Sequence, residues 1–268
     1  MAFSVEGKSV IVTGASDGVG LAIARRFAQL EAKVMLAGTN EETLEKEAAA
    51  LCESGYEATH FAGDLREKLT QANLISATID AFEKIDILVN ASRLVVGTDP
   101  LDAEDTSLTK LFEQNVVATM RLSQAVARKM IRRADADDVD GSIGSIVNVT
   151  SIAARRTLPD LLGYSVTSAA VDQLTRSLAV SLASKGIRVN AVALGSVMSS
   201  TLKSALREDE DLQDEVTSVT PLGRIGEASE AADVAVFLGS DAASFVTGQI
   251  VAVDGGRTVL DTMDTPAH

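Results

Sequence analysis

The sequence predicts an α/β fold: a single doubly wound domain over residues 1–268, with a seven-stranded, mostly parallel sheet and helices on both faces. Three observations lead there. A β-rich run at residues 9–13 is followed at once by Gly14-Ala15-Ser16-Asp17-Gly18-Val19-Gly20, and then by a helical run with Leu21, Ile23, Ala24, Phe27 and Leu30 apolar. Short β-rich runs then alternate with helical runs to the end of the chain, the pattern of parallel strands joined by crossover helices. Finally, 268 residues of which 46% are hydrophobic suffice for one continuous core, and no second domain is evident.

Composition narrows the function classes. A formal net charge of −14 disfavours nucleic acid and anionic membrane surfaces as partners, since both reward clustered Lys and Arg. With no Trp and only two Tyr, stacking platforms for bases are not evident. The single cysteine, Cys52, lies in a helical run at residues 41–52 and has no internal partner, which fits a reducing cytoplasm. No basic-then-apolar leader and no apolar run approaching the roughly 20 residues that span a bilayer is present, so a cytoplasmic location is expected.

Strand, glycine turn, helix is the order a phosphate site requires. Glycines let the backbone turn sharply and approach a pyrophosphate, while the free N–H groups at the helix start supply donors and partial positive charge. The second strand, residues 33–37, ends in Gly38-Thr39-Asn40, where a dinucleotide's adenosine ribose would be read. Thr39 and Asn40 could donate to a phosphate there, and Asp17 would oppose one. Gly63-Asp64-Leu65 follows the third strand, and Asp64 could equally cap a helix before Arg66. The fourth strand, residues 85–90, ends Asn90-Ala91-Ser92-Arg93. A long helical pattern over residues 103–130 contains Asn115, unfavourable enough in a helix interior to ask for a reason, of which packing or a kink is the plainer one. Residues 132–144 are charged, small and aperiodic and read as a surface loop; their acids lack the spacing of a calcium loop, so no metal is expected.

The chemistry concentrates between residues 146 and 172. Residues 146–149 read as a buried strand with Ser151 at its end, and thirteen residues later Tyr164 opens an Ala-rich helical pattern, residues 169–183. A hydroxyl at a strand tip and a phenol on the next helix's first turn can face one pocket, polarise a carbonyl and pass it a proton. Such a pair needs a nearby positive charge, because an unaided phenol titrates near pKa 10. One helical turn on, where a lysine would face that pocket, stands Ser168; Arg93, Arg155 and Arg156 are the candidate substitutes. The sixth strand, residues 188–193, leads into Gly195-Ser196-Val197-Met198-Ser199. Residues 200–220 are polar and helical in parts, which suits a mobile lid. A helix at residues 229–239 and a last strand ending Val253-Asp254-Gly255-Gly256 close the pattern. His60 and His268 are the only histidines, one in a strand and one at the chain end, so neither a His-based triad nor a zinc site has anything to build on.

From Val10 to Gly256 the chain resembles the short-chain dehydrogenase/reductase family, whose members carry Thr-Gly-x-x-x-Gly-x-Gly near the amino end and a strand-end Ser followed by Tyr-x-x-x-Lys. The resemblance implies a Rossmann-type domain and an NAD(P)-dependent oxidoreductase interconverting a small alcohol and ketone. Gly14, Ser16, Asp17, Gly18, Val19 and Gly20 would then hold the pyrophosphate, with Thr39 and Asn40 at the ribose and Asp64 with Leu65 at the adenine. Val197 and Ser199 would lie at the nicotinamide carboxamide. In the site, Ser151 would hold the carbonyl oxygen, Tyr164 act as acid and base, Asn115 order a relay water, and Ser168 stand in for the lysine's hydrogen bond without its charge. Gly38 occupies the position of the carboxylate usual in NAD-preferring members, and neither Asp17 nor Thr39 is the basic residue usual in NADP-preferring ones. The residues lean slightly to NADP over NAD. Asn90 keeps the first Asn of the family's Asn-Asn-Ala-Gly, whereas Arg93 replaces its glycine, either pairing with a phosphate or filling the space itself. The resemblance also implies a homodimer or homotetramer through the Asn115 helix and the 169–183 helix. The departures at Ser168, Arg93 and Asp17 leave a second class open: a redox-silent structural or regulatory subunit, paired with an active homologue.

Overall fold

Side chains alternate across a strand, so each β-rich run must feed two apolar layers. In β1 (Ser9–Thr13), Val10 and Val12 join one core cluster and Ile11 the other; in β2 (Lys33–Gly38), Val34 and Leu36 oppose Met35 and Ala37. The first layer also takes Ile23 and Phe27 of α1 (Gly18–Gln29) and Leu44, Ala48 and Leu51 of α2 (Glu41–Glu53). After β3 (Ala58–Ala62), α3 (Lys68–Phe82) contributes Leu74, Ile75 and Phe82 to the second layer. β4 (Ile87–Asn90) is wholly buried. The computed structural model describes residues 4–139, 141–209 and 211–261.

The seven strands run in the order β3-β2-β1-β4-β5-β6-β7, with β5 (Gly144–Ser151), β6 (Ile187–Leu194) and β7 (Ile250–Val253) completing the sheet. Every pairing is parallel, so the expected seven-stranded doubly wound sheet is present and is parallel throughout. Each strand returns through a crossover, which removes the antiparallel edge a hairpin would have added.

The helical pattern expected over residues 103–130 begins later and ends later. It comprises α4 (Ser107–Leu111), a π-helical stretch (Phe112–Val117) carrying the buried Asn115, and α5 (Ala118–Asp137). The reading of residues 132–144 as a surface loop is therefore corrected: 132–137 are the last turns of α5, and Asp140 lies outside the described residues. Two contacts hold these turns. Ala134 is buried in the cluster that includes Met130 and Ile143, and Arg133 Nη1 donates to Asp86 Oδ1 at 2.7 Å. Burial pushes the Asp86 carboxyl up, but Arg133, the Ser9 N–H and Lys84 together hold it below the ordinary carboxylate range. A depressed carboxyl stabilises the fold above its unfolded pKa, and this contribution disappears as pH falls through the folded one. Arg133→Met leaves a buried charge short of its main partner and should cost about 3 kcal/mol. Thermal unfolding reads the loss directly, and the acid-unfolding midpoint should move to higher pH.

α6 (Leu162–Ala183) carries Tyr164 in its first turn, as expected, because a turn at Pro159–Leu161 delivers the chain straight into it, and it runs on through the expected 169–183 stretch. Gly163 permits that start: a Cβ there would lie 2.6 Å from Thr98 Oγ1 and 2.8 Å from Leu111 Cδ1, so only glycine lets the helix seat against α4. The polar 200–220 segment is two helices, α7 (Ser200–Glu208) and α8 (Leu212–Ser218), with Glu210 outside the described residues. α9 (Ala228–Gly239) packs on α1, and His60 sits on β3 while His268 lies outside the described residues. Among the described residues no helix is long and apolar enough to cross a membrane, and no cluster of His, Cys, Asp or Glu could hold a metal ion.

Candidate active site

All strand ends point to one edge of the sheet, and the order reverses between β1 and β4, where a crevice forms. A cleft of about 240 Å³ lies there, lined by Gly14, Ser16, Asp17, Gly18, Val19 and Gly20, with Thr39, Arg93 and Ser199 around them. Its floor has no room for side chains. A Cβ on Gly20 would lie 2.0 Å from Gly14 O, and one on Gly14, whose φ is +65°, 2.8 Å from Ala91 O. A backbone cradle under a helix N-terminus is the arrangement that receives a diphosphate. Gly38 is bare for a related reason: a Cβ there would lie 2.5 Å from Ser16 Oγ. Across the mouth, Ser200 Oγ donates to Asp17 Oδ1 at 3.2 Å, so the first residue of α7 is fastened to the glycine turn.

Five of the expected cofactor residues do not line this cleft. Asn40 caps α2, its Oδ1 accepting from Thr43 N at 3.1 Å. Asp64 accepts from the guanidinium and the N–H of Arg66, which hold its carboxyl below the ordinary range; α3 begins later, with Glu67 at its N-cap, so Asp64 closes a turn with Arg66 and the expected cap is not formed. Leu65 and Val197 are buried in the two core clusters. Asn90 is occupied in a buried chain: its Nδ2 donates to Ser123 Oγ and to Asn148 Oδ1, while Asn148 Nδ2 donates to Thr175 Oγ1.

Ser151 and Tyr164 do share a pocket. Both line a space of about 310 Å³ together with Ile152, Leu161, Leu194, Arg156 and Arg257, and among the described residues no acidic side chain borders it. Ser151 Oγ accepts from Ala153 N at 3.1 Å and has only a long contact, 3.5 Å, to Leu194 O, which leaves its proton exchangeable for a better acceptor. On its other side Tyr164 borders a polar space of about 20 Å³ with Asn115, Ser168 and Arg93, room for a water molecule. Asn115 reaches it from the π-helical stretch, where its amide is tied to the backbone of Leu94: Oδ1 accepts from Leu94 N at 2.7 Å and Nδ2 donates to Leu94 O at 2.9 Å. Ser168 is buried beside them.

The guanidinium of Arg93 reaches the phenol. Arg93 Nη1 donates to Tyr164 Oη at 3.0 Å and makes a longer contact, 3.4 Å, to Thr150 O. Sequence reasoning had named Arg93 without being able to place it. It missed Thr13, whose Oγ1 accepts from the N–H groups of both Ala91 and Ser92 and fixes the end of β4. Its position just before Gly14 was the available signal. It also missed Asn148, which the β4–β5 register sets opposite Asn90, and Arg257, which only the fold brings to the pocket.

Comparison with known proteins agrees with this architecture. The family model described as enoyl-(acyl carrier protein) reductase matches residues 14–258. A galactitol 2-dehydrogenase (L-tagatose-forming) from Cereibacter sphaeroides is 38% identical over 264 residues, covering 96% of this chain and 97% of that protein. The chain belongs to the short-chain dehydrogenase/reductase family. Among solved members, a gluconate 5-dehydrogenase from Burkholderia cenocepacia J2315 in complex with NADP and tartrate is 32% identical with a TM-score of 0.88, over 97% of this chain and 98% of that one. A 7α-hydroxysteroid dehydrogenase complexed with NADH and 7-oxo glycochenodeoxycholic acid is 31% identical with a TM-score of 0.88, over 95% and 96% of the two chains. The relatives are dehydrogenases and oxidoreductases acting on small molecules, and an oxidoreductase of this family is what the chain is.

Proposed function

We propose that the protein is an NAD(P)-dependent oxidoreductase interconverting a small alcohol and its ketone. The observation that carries the reading is the adjacency of Ser151 and Tyr164 in one pocket, beside a cleft whose backbone cradle suits a diphosphate. Gly14, Ser16, Gly18, Val19 and Gly20 would hold the coenzyme's pyrophosphate, and the nicotinamide would supply or accept the hydride at the carbonyl carbon. Ser151 Oγ donates to the substrate oxygen and orients it. Tyr164 Oη gives its proton to that oxygen in reduction and recovers it in oxidation. The space bordered by Asn115 and Ser168 gives the proton a route through a water. Thr39 and the absence of a carboxylate at Gly38 keep the slight preference for NADP.

Two guanidiniums in a pocket with no acid among its described lining residues, on a chain of net charge −14, favour a substrate with a carboxylate or a hydroxyl-rich tail, in keeping with the gluconate and galactitol relatives. Arg257, which donates to Ser196 Oγ at 2.8 Å, is held in place to meet that tail. Arg257→Met should raise KM for a hydroxy acid about tenfold or more while kcat changes less, from the worth of one charged hydrogen bond. An unchanged KM would remove Arg257 from substrate recognition.

Calorimetry with NADPH and NADH, followed by a panel of small ketones, polyols and hydroxy acids, tests the reading. The competing reading, a redox-silent subunit, is favoured by Arg93 at the cleft and by the Asp17–Ser200 bond across its mouth. It predicts no coenzyme binding and no turnover. Assembly through α5 and α6 is part of the proposal, with Val166 and Val180 exposed on α6, and sedimentation velocity tests it.

A further inference from the structure

We propose that Arg93 supplies Tyr164 with the cation that position 168 lacks, so that the acid/base unit of this chain is a tyrosine and an arginine whose charge arrives from the end of β4. The inference rests on the oxidoreductase reading for its catalytic meaning, though not for its test.

The requirement comes first. A phenol exchanges a proton usefully near neutrality only if its anion is stabilised, and an adjacent positive charge is the strongest way to do that. Ser168, on the same face of α6 one turn beyond Tyr164, is buried, borders the same small space and carries no charge. Arg93 also lines that space, with Nη1 at 3.0 Å from Tyr164 Oη, and its charge-assisted N–H bond becomes an ion pair when the phenol's proton leaves.

The backbone that carries Arg93 is fastened on both sides. Thr13 Oγ1 accepts from Ala91 N and Ser92 N, and the Asn115 amide clamps both backbone groups of Leu94. The second contact of Nη1, to Thr150 O, ties the guanidinium to the end of β5, the strand that presents Ser151. A side chain held at its root and at its tip loses little freedom in making the phenol contact. The charge is also undiluted. Among the described residues, the charged groups around the two spaces that Tyr164 borders are Arg93, Arg156 and Arg257, and no carboxylate lines either space. Asp172, two turns further along α6, has its carboxyl pushed up by burial, against Thr150, Arg155 and Arg176, and so is a weak competitor for the guanidinium.

Arg93 also lines the coenzyme cleft, and Nε and Nη2 have no hydrogen-bond partner among the described residues, so the same group can donate to a bound coenzyme. In this arrangement one guanidinium performs both tasks of the absent lysine, from a position where the family carries glycine.

The composition supplies a direct test. The chain has two tyrosines and no tryptophan, so in a Tyr56→Phe background Tyr164 is the sole tyrosine and its phenolate absorbance can be titrated alone. Arg93→Met should move that transition to higher pH than in the parent, because the phenolate then forms without an adjacent cation. Arg93→Lys should keep most of the parent behaviour, and Arg93→Met combined with Ser168→Lys should bring the transition back down. In turnover, Arg93→Met should lose about 10²-fold or more in kcat and shift the pH profile in the same sense, with partial recovery in the double variant. Circular dichroism on each variant secures the comparison. A titration of folded Arg93→Met coincident with the parent overturns the inference, as does an Arg93→Gly variant that binds NADPH more tightly and turns over faster. If the parent reduces nothing while the titration still shifts, the oxidoreductase reading fails and the Arg93 contact stands.

Discussion

Tyr164→Phe is expected to slow ketone reduction by about 10²–10⁴-fold, the usual worth of a positioned acid, while NADPH binding stays as in the parent. The substitution is clean because the ring belongs to a small apolar cluster with Leu111 and Ala153, and phenylalanine keeps that packing. It removes only the hydroxyl that accepts from the Arg93 guanidinium. Single-turnover measurement with saturating coenzyme isolates the chemical step. A variant within tenfold of the parent would mean that the proton comes from another group, and Ser151 would then be the first candidate.

The second large effect is on coenzyme affinity. Gly20→Ala forces a methyl to within 2.0 Å of Gly14 O, and no side chain there can move aside because the obstacle is backbone. The turn must open, and with it the set of N–H groups that receives the diphosphate. NADPH affinity should fall at least about 10²-fold, near 3 kcal/mol, against a smaller loss of thermal stability from local overpacking, about 1–3 kcal/mol. Gly18→Ala is the graded control, since its Cβ would approach nothing closer than Ser200 N at 3.2 Å, although its φ of +53° adds strain. Retention of full affinity by folded Gly20→Ala would place the coenzyme elsewhere and reduce the cradle to a packing feature.

The strands were legible because their signal is local. Runs such as Val10-Ile11-Val12 and Ile87-Leu88-Val89 are apolar on both faces, as a parallel sheet covered by helices on both sides demands, and the glycine turn announces its close backbone contacts directly. Residues 132–137 misled for the opposite reason. Their acids and alanines carry no strong apolar stripe, and what holds them in α5 is a partner 47 residues away, Asp86, together with the burial of Ala134. Asp64 was open between ligand and cap and is held by Arg66 in a turn instead, while Asn40, expected at a phosphate, caps α2 through Thr43 N; the same oxygen can serve each of these roles, and only the local backbone decides among them.

The chain's residue order alone determined the seven-stranded α/β class, the phosphate-type turn after β1, the pairing of Ser151 with Tyr164 and the lack of a lysine at position 168, since each is a matter of residue type and short spacing. Which guanidinium meets the phenol could not be read that way. Arg93 and Tyr164 are 71 residues apart, and Asn90 and Asn148 are 58 apart; they meet only because β4 and β5 lie side by side with their ends on one edge. Register and crossover decide such contacts, and both are properties of the assembled sheet.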